Sequence, residues 1–210
     1  MIYDSTHRLR CHAWLLISIA VVMALVMARD SAAQTNFFKI PESELKNLPP
    51  FCRNGFGSYG IDPQQALYLN HLCPGLFALN VAQRTLGNDQ DHRYALQEAV
   101  DHLSYTISHV TGKLPFRSSV YVKRGNAYEM QGNDANAVSD YQTAIDSDPK
   151  NTTGYTAVVD LLLKKGARDQ AVKAIEKGLA ANPESKALQS RKQKISSTKG
   201  AETKKDNNSP

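Results

Sequence analysis

The sequence predicts an all-α protein built as an array of antiparallel helical hairpins, and three observations carry that prediction. Pro115, Pro149 and Pro183 recur at intervals of 34 residues, as do Gly132 with Gly166 and Ala137 with Ala171. A fixed period of this length marks stacked helical repeats. Apolar side chains fall at helical spacing, most clearly Ala95, Leu96, Ala99, Val100, Leu103, Ile107 and Val110. Composition permits a core: 41% of the 210 residues are hydrophobic and 21% are charged, which excludes a fibrous or natively unfolded chain.

Taken in chain order, residues 1–33 read as a secretory signal peptide. Arg8 and Arg10 precede an apolar run over 13–28, interrupted only by Ser18, and Ser31-Ala32-Ala33 supplies small residues for cleavage. As a helix the run would span about 24 Å, short of the roughly 30 Å hydrocarbon core. A cleaved signal and a periplasmic or secreted product are therefore expected, with an uncleaved N-terminal anchor as the alternative. No later segment is apolar enough for stable membrane insertion. Cleavage after Ala33 discards Cys11 and leaves Cys52 and Cys73. An even pair in an exported chain favours a disulfide worth about 3 kcal/mol in the loop-entropy model; two packed thiols are the alternative.

Residues 34–62 read as an extended N-terminal segment. Asp62 followed by Pro63 marks a capped helix start, with the helix over 63–72. Residues 76–86, carrying Leu76, Phe77, Leu79, Val81, Ala82 and Leu86, and residues 92–110 then form a degenerate hairpin joined by the polar loop 87–91. Residues 63–117 thus complete the array upstream, which two repeats alone require because they expose too much apolar face.

Residues 118–151 read Tyr121-x2-Arg124-Gly125-x2-Tyr128, Gly132, Ala137-x3-Tyr141-x2-Ala144 and Asp148-Pro149. Residues 152–185 read Tyr155-x2-Val158-Val159-x2-Leu162, Gly166, Ala171-x3-Ile175-x2-Gly178 and Asn182-Pro183. Both resemble the tetratricopeptide repeat, whose pattern is W-x2-L-G-x2-Y, A-x3-F and P. The second copy departs at Val159 and Gly178. Helices are expected at 118–131, 134–147, 152–165 and 168–181. Small residues (Gly125, Ala137, Ala144, Ala171, Gly178) stand where helices touch, and Gly132 and Gly166 end the first helix of each pair. Residues 186–195 read as a polar capping helix with Leu188 and Ile195 on one side, and residues 196–210 as a disordered basic tail. Residues 50–76, with Cys52 and the run His71-Leu72-Cys73-Pro74-Gly75-Leu76, are also similar to a group of exported bacterial repeat proteins.

The resemblance implies a right-handed superhelix whose first helices line a concave groove for a partner peptide. Carried over by spacing, the groove-facing side chains are Ser119, Val122, Asn126 and Glu129 in one copy and Thr153, Thr156, Asp160 and Leu163 in the next. Some family members grip a C-terminal carboxylate with Lys and Asn on this face. Asn126 matches that clamp, whereas Val122 stands at the Lys position and Asp160 would repel a carboxylate.

The basic pI, near 9.0, does not describe the body of the protein. Of 25 basic and 20 acidic residues, the first 33 positions hold three and two and the last 27 hold seven and three, which leaves 15 of each between them. No nucleic-acid partner is expected of a body with no net charge. No nucleophile elbow, metalloprotease helix or phosphate loop is present, so neither catalysis nor a cofactor is expected. Cys52, His71 and Cys73 supply at most three ligands, one short of a structural zinc site; no metal is expected, and a metal-binding factor using these three is the lesser alternative. His102 and His109 share a helix face two turns apart, about 10 Å, too far for one ion. The expected function is a non-catalytic protein-interaction module, a scaffold or adaptor in the bacterial envelope. A structural accessory of an envelope or export assembly, held by its basic tail, is the alternative.

Overall fold

The computed structural model describes residues 40–85, 90–111 and 114–206. The proposed signal peptide and Leu86 lie outside them. The chain divides into Met1–Ser43 and Glu44–Pro210, and the second unit carries the helical array. Among the described residues the α-helices are α1 (Glu42–Leu45), α2 (Phe51–Asn54), α3 (Pro63–Tyr68), α4 (Leu72–Arg84), α5 (Gln90–His109), α6 (Arg117–Met130), α7 (Asp134–Ser147), α8 (Thr152–Lys164), α9 (Arg168–Ala181) and α10 (Lys186–Asp206). No strand occurs among them. From α4 onward each helix packs on the next, giving the all-α helical-repeat fold that the 34-residue period predicts.

Local chemistry sets the turns. Gly132 and Gly166 adopt φ of 77° and 73°, a left-handed backbone that only glycine enters without strain. The following amides, of Asn133 and Ala167, donate back to the carbonyls of Tyr128 and Leu162 at 2.8 Å in both cases, the six-to-one bond that closes a helix C-terminus. Asn133 and Asn151 then cap α7 and α8 by accepting from the amides of Asn136 and Thr153. Asn182 Nδ2 donates to the Pro149 carbonyl at 3.1 Å, joining one inter-repeat turn to the next.

Small residues sit where helices cross. A Cβ on Gly125 would lie 2.5 Å from the Tyr141 ring, and one on Gly178 would lie 2.6 Å from Leu188. The second copy exchanges the sizes: where Gly125 faces Tyr141, the equivalent residues Val159 and Ile175 are both buried in the C-terminal core. The volume lost at one position is restored at its neighbour, as close packing requires.

The N-terminal part departs from the sequence reading. Residues 34–62 include α1, α2 and a 3-10 turn at Gly57–Tyr59, not only extended chain. The helix starting at Pro63 stops at Tyr68, a 3-10 turn covers Leu69–His71, and α4 begins at Leu72, four residues before the expected start. Pro74 is compatible with this because a first-turn residue needs no amide hydrogen. Gly75 suits a tight contact, since a Cβ there would lie 3.0 Å from side-chain atoms of His102 and Leu103. At the other end α10 runs on to Asp206, beyond Ile195 and over residues 196–206 of the segment read as a disordered tail; residues 207–210 lie outside the described residues. Lys199, Ala201, Glu202, Lys204 and Lys205 supply helix propensity there.

Cys52 and Cys73 are joined in a disulfide with Cα atoms 5.7 Å apart, riveting α2 to the first turn of α4. Phe51, next to the bridge, stacks on Phe116 and Phe56 at 4.8 and 5.2 Å and meets Tyr59 edge-on at 5.7 Å. Replacing both cysteines by serine should cost about 3 kcal/mol, the loop-closure value for this separation. A urea titration of the double variant reads this as a lower midpoint; an unchanged midpoint would mean that the aromatic cluster alone holds the segment.

Candidate functional site: the face of the first helices

The first helices of successive hairpins touch one another, α4 with α6, α6 with α8 and α8 with α10, while among the described residues α5, α7 and α9 make no comparable contacts with each other. The array therefore curves with α4, α6, α8 and α10 on its inner side.

On that side the predicted groove residues divide. Val122 is a correction: it is buried at 4% exposure in a cluster with Ala137, Tyr141, Ala144 and Leu161. The inward curve brings α8 over α6, and Leu161 joins the cluster that encloses the valine, so it offers no surface to a ligand. Asn126 and Glu129 are half-buried and meet at the Tyr141 hydroxyl, 2.9 Å from Asn126 Oδ1 and 3.0 Å from Glu129 Oε2. The phenol has one proton to donate, and both oxygens accept from it, the charged carboxylate the more strongly. Burial, with Glu129 beside it, pushes the Tyr141 phenol well above its ordinary pKa and keeps it a donor. Lys164 Nζ pairs with the other Glu129 oxygen at 3.1 Å.

In the second copy Thr156 bonds back to the Thr153 carbonyl at 3.0 Å. Asp160 is exposed and takes a two-point contact from Arg191 of α10, Nε at 2.7 Å and Nη2 at 2.5 Å. Leu163 is half-buried against the C-terminal core. The face thus carries the relay Asn126, Tyr141, Glu129, Lys164 and the pair Asp160 with Arg191. Exposed pairs such as Lys164 with Glu129, whose lysine is 62% exposed, contribute no more than about 1 kcal/mol. A ligand can exchange them for its own charges at little cost. Tyr141, Lys164 and Arg191 escape the sequence reading: the tyrosine counts there only as packing, and no period links Asp160 to Arg191.

The cysteine–histidine alternative resolves differently. Bonded to each other, Cys52 and Cys73 present no thiolate to a metal beside His71. Among the described residues no group of three His, Cys, Asp or Glu side chains could hold a metal ion. His71 instead meets His102, Nδ1 to Nδ1 at 2.8 Å, so one imidazole donates and the other accepts. Tyr105 stacks on both His71 and His109 at 3.9 Å, and Glu98 lies 3.5 Å from His102 Nε2.

His102 is 6% exposed. Burial, then the neighbouring His71, pulls its pKa down to about 4, against a smaller upward pull from Asp101. His71 is lowered too, by burial and then His109. A histidine with a depressed folded pKa binds fewer protons folded than unfolded. Its contribution is therefore complete above the unfolded value of about 6.5 and is lost as pH falls toward 4, by up to about 3 kcal/mol. Chemical denaturation at several pH values should show this decline, and His102→Gln should flatten it; equal slopes for both proteins would assign the acid sensitivity to other groups.

Residues 118–151 match the family model of the tetratricopeptide repeat. Repeats of this family generally mediate protein–protein interaction and are generally non-catalytic. No curated protein matches the chain.

Proposed function

We propose that this chain, a helical array with a tetratricopeptide repeat at residues 118–151, is a non-catalytic scaffold or adaptor of the exported bacterial type. It binds a partner peptide along the inner face of α6 and α8. The observation that carries the reading is the polar relay on that face, Asn126, Tyr141, Glu129 and Lys164, laid over a closed apolar core. A peptide backbone needs donors and acceptors, and this face offers both in positions fixed from below. Periplasmic or secreted placement is supported by the signal-like order of residues 1–33 and by the Cys52–Cys73 bridge, which persists in an oxidising compartment.

A photocrosslinking amino acid at Thr156, on the inner face, is compared with one at Val138, which is 39% exposed on α7. The expected result is a discrete adduct from position 156 in the envelope fraction and none from position 138. Equal labelling, or adducts from 138 only, would remove the groove reading.

The second reading, a structural accessory held by its basic C-terminus, is favoured by the continuous helix Lys186–Asp206 and the seven basic residues after Pro183. Under that reading, deleting residues 196–210 releases the protein from the envelope at low salt, where charge contacts are least screened. Under the adaptor reading the deletion leaves crosslinking at position 156 intact.

A further inference from the structure

We infer that the cleft bounded by α2, α4 and the start of α6 is a receptor for a small amphipathic monocarboxylate, with an aliphatic chain inside and the carboxylate on Lys123. The cleft measures about 280 Å³, and its walls are Phe51, Leu72, Leu76, Phe116 and Val120. At about 30 Å³ for each water-sized group it holds about nine such groups, close to the lower end of ordinary small-molecule sites.

Two features separate it from a packing defect. Part of its wall comes from outside the repeats: Phe51, which adjoins the Cys52–Cys73 bridge, stacks on Phe116 at 4.8 Å. A wall fixed covalently and by ring stacking cannot close the space by sliding inward, so the cleft is preformed and a ligand need not open it. The second feature is charge. The lining contains one ionisable group, Lys123, with the Ser119 hydroxyl one helical turn before it.

Lys123 is exposed and, among the described residues, has no acidic partner. Positions 119, 120, 126 and 127, its helical neighbours, are Ser, Val, Asn and Ala. Arg84, Arg124, Lys164 and Arg191 are by contrast each paired with a carboxylate. An apolar cleft with a single uncompensated cation at its edge selects a monoanion with an apolar body. A dianion would carry excess charge against aromatic walls, and a cationic amphiphile would meet repulsion.

The test uses octanoate with the purified protein, titrated by calorimetry, with octanol and octyltrimethylammonium as matched probes. Saturable octanoate binding is expected, at least tenfold tighter than octanol and absent for the cation. Lys123→Glu should weaken octanoate at least tenfold while leaving the unliganded thermal midpoint in place, and Val120→Phe should abolish binding by filling the cleft. Should Val120→Phe fail to fold, intermolecular NOEs from the octanoate chain to the Phe51 and Phe116 rings decide the location. No saturable binding, equal affinity for octanoate and octanol, or NOEs to other residues would overturn the inference.

Discussion

Ala137→Glu is expected to unfold the array. Ala137 has no exposed surface and lies in the cluster with Val122, Tyr141 and Leu161. Its carbonyl would lie 3.3 Å from a Cβ on Gly125, so α6 and α7 are already at contact distance there. A glutamate would need space the helices do not leave, and its carboxylate would enter an apolar cluster. Arg124, adjacent in sequence to Gly125 at that contact, is engaged by Asp140. An unpaired buried charge together with overpacking exceeds about 4 kcal/mol, comparable with the whole stability of a small domain, about 5–15 kcal/mol. Because each hairpin is held by its neighbours, the loss spreads along the array. Circular dichroism should show the cooperative thermal transition gone, whereas Ala137→Gly, which removes only a methyl group, should cost about 1 kcal/mol. A glutamate variant melting within a few degrees of wild type would refute the repeat register.

The register itself is legible in sequence because it rests on residues with few substitutes. Gly132 and Gly166 recur because their φ is positive. Gly125 and Gly178 stand at contacts where a Cβ would clash. Where the period fails, legibility fails with it. The hairpin α4–α5 has no matching copy, and the pairing of His71 with His102, 31 residues apart, leaves no periodic trace. The helical stripe also misplaces part of the α5 interior: His102 and Thr106 are buried while Ile107 is only half-buried. The buried polar atoms at these sites are satisfied by a second histidine and by the His102 carbonyl, partners that a hydropathy pattern does not register. On the inner face, spacing assigns Val122 to the surface although it is buried, because exposure there depends on how far α8 leans over α6. That angle is a property of the assembled array.

The second large effect concerns Arg124 and Asp140. Arg124 stands where the tetratricopeptide pattern has leucine, and Asp140 is 4% exposed. The pair is bidentate, Nε to Oδ2 at 2.8 Å and Nη2 to Oδ1 at 2.7 Å, and Nη1 donates to Ser104 Oγ of α5 at 3.0 Å. The guanidinium carbon also lies 5.7 Å from the ring centres of both Tyr121 and Tyr128, so one side chain links α5, α6 and α7. Thirty-four residues on, the equivalent positions are Val158 and Ala174, both packed against the C-terminal core. The protein therefore holds two solutions to one packing problem, one ionic and one apolar.

Arg124→Val alone strands the Asp140 carboxylate in the interior and should cost about 3–5 kcal/mol. Arg124→Val with Asp140→Ala copies the other solution within the same chain. Removing both charges eliminates the desolvation cost of each, so the double variant should recover most of the loss and fall within about 2 kcal/mol of wild type, the remainder reflecting the Ser104 and tyrosine contacts. A double-mutant cycle by urea denaturation measures the coupling. Strictly additive losses would mean that the two side chains stabilise the repeat independently, and that the resemblance between the copies at these positions has no energetic content.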